Sequence, residues 1–103
     1  MRKSFPAATL VHLRQTRSEA ALRSLASFCK VDTTYHPVKD PDSRRWHVRT
    51  EYGEFEILTT GVKWYDARAK VGGGGAIDLA MHILHVPFVE AVRILTARTE
   101  PRG

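Results

Sequence analysis

The chain reads as an α+β domain: a three-stranded antiparallel sheet flanked by an N-terminal helix and two C-terminal helices. Apolar and charged residues alternate between Arg45 and Ile57, which is the period of a strand pair. From Ala76 onward apolar residues recur at helical spacing. Between the two patterns stands a run of glycines, residues 72–75, read as a loop leading from a strand into a helix.

The elements follow in order. Residues 1–8 carry no strong pattern and are expected to be loose, and a weak helical turn is expected over 10–15. The first helix is expected over 18–28. Ser18 is fit to cap it, and Ala21, Leu22, Leu25 and Phe28 fall at helical spacing. Thr33, Thr34 and Tyr35 favour extended backbone, so 31–35 reads as a short strand. Two prolines and two aspartates make 37–43 a loop. Trp46 and Val48 then face one way, while Arg45, His47 and Arg49 face the other. A turn near Glu51, Tyr52 and Gly53 returns the chain, so that Phe55 and Ile57 join the apolar face and Glu54 and Glu56 the polar one. Gly61 ends that strand and 63–65 form the third. Ile77, Ala80, Met81 and Leu84 make one helical stripe. Pro87 suits the first turn of the last helix, whose stripe is Phe88, Ala91, Val92 and Leu95. The tail, 99–103, is expected to fray.

The 103 residues suffice for one domain, taken as 1–103. Sixteen Lys/Arg against eleven Asp/Glu give a net charge of +5. Such a balance points to nucleic acid or another polyanion, or else to simple solubility. The one cysteine, Cys29, excludes an internal disulfide and makes a reducing compartment the expectation. No apolar run reaches the roughly 18 residues of a membrane span. The basic N-terminus has too short an apolar stretch for a secretory signal. A cytoplasmic protein is expected.

Six cations, Arg44, Arg45, Arg49, Lys63, Arg68 and Lys70, fall on the hairpin, the third strand and the loop after it. With Tyr65 as a stacking surface they could form a groove for a single strand. Arg45 and Arg49 could equally pair across the strands with Glu54 and Glu56. The strand–glycine–helix order places backbone N–H groups of Gly73 and Gly74 near a helix N-terminus, where a phosphate could sit. The same glycines would also allow close packing of helix on sheet, and Asp78 in the first turn competes with any anion. No Gly-Lys-Ser/Thr follows, which excludes a nucleotide-hydrolysing P-loop. Trp46 and Trp64 are expected in the core. His82 and His85 could bind a metal with Cys29, but ordinary histidines explain them better. No catalytic constellation and no cofactor site is expected.

Trp64-Tyr65-Asp66, then 72–79 (GGGGAIDL), then Phe88-Val89-Glu90-Ala91-Val92 and Leu95 resemble the zinc-ribbon (CHC2-type) domain of bacterial primases. The likeness covers about residues 36–96. It is closer still to the zinc-less version at the N-terminus of Toprim-containing proteins of plasmids and other mobile elements. In metal-binding relatives four Cys/His ligands flank the hairpin. Here those positions fall on His36, Lys39, Ala67 and Lys70, so the tetrahedral site is absent. The resemblance implies a metal-free recognition module without the Toprim catalytic domain. It would bind single-stranded or primer-template DNA, acting beside a separately encoded polymerase, primase or helicase. The alternative is a protein-interaction adaptor that docks such a polymerase, helicase or relaxase and binds little DNA itself.

Overall fold

A computed structural model of the chain describes residues 5–99. Four helices pack on one face of a five-stranded sheet, an α+β arrangement. The order is α1 (Ala7–Arg14), α2 (Ser18–Leu25), β1 (Phe28–Val31), β2 (Arg44–Thr50), β3 (Gly53–Thr60), β4 (Lys63–Asp66), β5 (Val71–Gly74), α3 (Ala76–Leu84) and α4 (Phe88–Thr99). Each strand pairs antiparallel with the next in sequence, a simple meander with β1 and β5 at the edges.

The sheet therefore has five strands rather than three, and the two extra ones have different causes. The first helix stops at Leu25, where Ala26 turns extended, and not at Phe28. Residues 28–31 instead pair with Arg49 to Trp46; of the strand expected over 31–35 only Val31 is extended in the sheet, and Thr33 and Thr34 form a turn. Leu22, Leu25 and Phe28 match a helix locally, but the open edge of β2 supplies hydrogen bonds that decide the conformation. The glycines, expected as a loop, form β5. Trp64 stands opposite Gly73 and Tyr65 opposite Gly72. A Cβ at Gly72 would sit 2.9 Å from Tyr65 Cδ1, and one at Gly73 3.0 Å from Trp64 Cζ2. The aromatic rings of β4 thus cover bare backbone, which is why the strand is made of glycine.

At the N-terminus the helical turn expected over 10–15 is a full helix, α1, which precedes α2. Residues 5–8 are placed: Pro6 stands at the N-cap of α1, and Ala7 and Ala8 are helical. The rest of that segment, 1–4, and 100–103 of the tail lie outside the described residues. Ser18 is the first residue of α2 and not its cap. Its N–H donates to Gly61 O at 2.8 Å and its hydroxyl to Lys63 O at 3.1 Å. The residue is fully buried, so α2 is bolted to the β3–β4 turn.

The core lies between the helices and the inner sheet face. Leu13, Leu22, Ile57, Leu79, Ile83, Val92 and Leu95 are fully buried, and Trp46, Val48 and Trp64 nearly so. Trp46 Nε1 donates to Thr59 Oγ1 at 3.0 Å. His85 ends α3 in the left-handed conformation, φ 54°, and Thr50 donates to Ile83 O in its last turn at 2.8 Å. No single helix is long and apolar enough to cross a membrane; α3 and α4 are bent by 109° at their junction.

Candidate nucleic-acid interface

The sheet face turned away from the helices carries most of the charged residues singled out in the sequence. Strand register sets the rows. Arg49 lies between Phe28 and Glu54; His47 lies between Lys30 and Glu56. Leu58 lies between Arg45 and Tyr65, with Gly72 beyond, and Thr60, Lys63 and Gly74 make the last row.

Not all six cations belong to this face. Arg44 points to the helix side, 3.8 Å from Glu19 of α2. Arg45 is fixed: its Nε and Nη2 donate to Asp32 Oδ2 at 2.9 and 2.7 Å, and its guanidinium lies 5.1 Å over the Tyr35 ring. The pairing with Glu56 considered for it is not formed; Asp32, just beyond β1, reaches it instead. Asp32 also accepts from Thr34 N–H and Oγ1 at 2.9 and 2.6 Å. The Thr34 bonds, then the Arg45 guanidinium, hold the Asp32 carboxyl far below the usual carboxylate range. Arg49 pairs with Glu54 at 3.3 Å, as cross-strand register allows, and lies 5.6 Å over Phe28.

Lys63, Arg68 and Lys70 remain, and none of them has a carboxylate within ion-pair distance among the described residues. The same holds for Lys30 and Lys39, which the sequence reading left out. Lys30 follows from the alternation of β1 once that strand is recognised. Lys39 lies in the β1–β2 connection. Arg68 reaches the β1–β2 side, where it lines a cavity of about 50 Å³ with Phe28, His47, Arg49 and Glu54. Tyr65 is 42% exposed on the same face, as expected for a stacking surface, whereas Trp46 and Trp64 are buried.

The loop that carries Arg68 and Lys70 is held from beneath. Asp66 is buried, and its Oδ1 accepts the N–H groups of Arg68 and Ala69 at 3.0 and 3.1 Å. Its Oδ2 lies 2.7 Å from His82 Nε2. The His82 ring stacks on Trp64 with centroids 5.1 Å apart and meets Phe55 edge-on. The spacing of Asp66 and His82, on two elements sixteen residues apart, gave no signal of this contact. His85 lies tilted against Tyr52 at 4.9 Å and meets Phe55 edge-on at 6.4 Å. Cys29 lies half-buried on the inner face of β1, where burial pushes its thiol up. The His82–His85–Cys29 metal site is therefore not formed. Among the described residues no three His, Cys, Asp or Glu side chains gather closely enough to hold a metal.

The glycines form an edge strand and not the loop expected before α3. One side of β5 is paired with β4. Gly75 N–H donates to Val62 O at 2.7 Å, and Arg14 of α1 closes over Gly75. Gly73 is half-buried against the Trp64 ring; Gly74 is exposed with open space around it.

The chain matches no family of known proteins, no curated protein sequence and no solved structure.

Proposed function

We propose that this protein is a non-catalytic nucleic-acid-binding module. It holds single-stranded or primer-template DNA mainly through the backbone, without a cofactor. One observation carries the reading: the cations Lys63 and Arg68, free of carboxylate partners, share a sheet face with the exposed ring of Tyr65, and Lys70 follows Arg68 in the β4–β5 loop. Unpaired charge beside an aromatic platform is the chemistry that single strands use. From Thr60 to Glu54 that face runs about 20 Å along β3, enough for a few nucleotides. The net charge of +5 agrees. The resemblance to the primase zinc-ribbon domain supplies the setting, an accessory of a plasmid or mobile-element replication or conjugation system.

The test is fluorescence-anisotropy titration of labelled single-stranded and duplex DNA at several salt concentrations. Arg68→Glu combined with Lys70→Glu is expected to weaken binding of all sequences alike and to lower the salt slope by about one or more. Undiminished affinity in that double variant would overturn the site.

The adaptor reading rests on a different observation. Phe88 and Val89, adjacent at the start of α4, are 37% and 39% exposed. If the parent protein bound no nucleic acid at low salt, this surface would take precedence.

A further inference from the structure

Between the turn after β1 and the outer face of β4 lies an open groove of about 490 Å³. Its walls include Tyr35 and Tyr65, its apolar wall Leu58, and two lysines, Lys39 and Lys63, line it as well. We infer that this groove seats one unpaired nucleobase of a single strand, stacked on Tyr65 and Tyr35, with Lys63 and Lys39 on the neighbouring phosphates. The inference rests on the nucleic-acid reading above and adds what that reading leaves open: which feature separates a single strand from a duplex.

Three features favour a base as occupant. The volume lies within the range of pockets that hold small flat ligands, yet the groove is open to solvent, so a polymer can enter and leave it. Both aromatic walls are pre-set. Arg45 lies over the ring of Tyr35 and is itself locked by Asp32. Tyr35 N–H donates to Asp32 O at 3.2 Å. Tyr65 lies over Gly72, and in the neighbouring row nothing stands within 4 Å of where a Cβ on Gly74 would be. Stacking on rings already held in place saves the ordering cost of binding.

The charge fits as well. Neither lysine is engaged by a carboxylate. The one acid in the lining, Asp40, is exposed, and its Oδ1 accepts Asp42 N–H at 2.9 Å, so two lysines face a single carboxylate there. Ser43 and Thr60 satisfy each other, with their hydroxyls 2.7 Å apart. Bases inside a duplex are already stacked on both faces and have none to offer. The groove therefore selects for unpaired nucleotides, while Arg68 and Lys70 in the β4–β5 loop contact backbone of either form.

The experiment is anisotropy titration of a short single strand and its duplex with the parent, Tyr65→Ala and Tyr65→Phe, each checked for folding by circular dichroism. Tyr65→Ala is expected to lose about 10-fold in single-strand affinity with its salt slope unchanged. Duplex binding should be untouched, and Tyr65→Phe should bind like the parent. Full single-strand affinity in Tyr65→Ala would overturn the groove. If Arg68→Glu/Lys70→Glu still weakened binding in that case, the broader nucleic-acid reading would survive. A parent with no affinity for either form at low salt would overturn both. A measurement on the unaltered protein serves if Tyr65→Ala fails to fold. A single strand carrying 2-aminopurine should lose fluorescence on binding, and unchanged emission at saturation would overturn base stacking.

Discussion

Gly73, Gly74 and Gly75 stand side by side in sequence and do three different things. At Gly73 a Cβ would meet the Trp64 ring at 3.0 Å and Asp78 Cβ at 3.1 Å. At Gly75 it would meet Arg14 O at 3.0 Å, with φ at +93°. At Gly74 it would meet nothing within 4 Å. Gly74→Ala is accordingly expected to change stability by less than about 0.5 kcal/mol. Gly73→Ala should cost about 1–3 kcal/mol by overpacking, and Gly75→Ala at least as much through backbone strain. Urea titration of the three variants checks the order, and an equal loss at all three would contradict it. At this scale much of the site was legible. Alternation put Tyr65 outside and Trp46 and Trp64 inside, and register put Arg49 opposite Glu54. The partners of Arg45 and His82 were not legible. Asp32 and Asp66 reach them across elements, and pattern within one element carries no record of such a meeting.

For the elements, the same division holds. The hairpin of β2 and β3 and the helices α3 and α4 could be read because a buried face repeats within each of them. β1 and β5 could not, for opposite reasons: one carries a pattern that also suits a helix, the other has almost no side chains. Both are strands because a neighbouring strand had hydrogen bonds to give. Ser18 shows how an element is docked rather than formed. Its hydroxyl serves the carbonyl of Lys63 and not the N-terminus of its own helix. Ser18→Ala should therefore leave that carbonyl short of a partner and destabilise the protein by about 1–2 kcal/mol. Chemical denaturation checks this, and a neutral Ser18→Ala would mean that water or a shift of α2 replaces the bond.

Taken as a whole, the molecule is held together, over its described residues, by a shared core and a few polar ties. One tie gives it an acid limit. The Asp32 carboxyl is held below its ordinary value in the folded protein, so it binds its proton more readily once unfolded. Its stabilising effect is complete above the ordinary carboxylate value of about 4 and fades as pH falls below it. Thermal melts should thus show the parent losing stability from about pH 4 downward more steeply than Asp32→Asn; parallel acid limbs would show that the Asp32–Arg45–Thr34 cluster adds nothing to the fold. The α+β class was legible at this scale, since periods and their order along the chain fix it. The number of strands was not, because sheet edges are completed by neighbours.

The open edge of β5 bears on how the protein can be handled. Its outward peptide groups are unpaired, and no charged or proline residue within the strand guards them. At low ionic strength the net charge of +5 keeps two copies apart. Salt near 1 M shortens the screening length to about 3 Å and removes that repulsion. A high-salt wash is then also the condition under which exposed edges can meet, so dilution should come before desalting and concentration last.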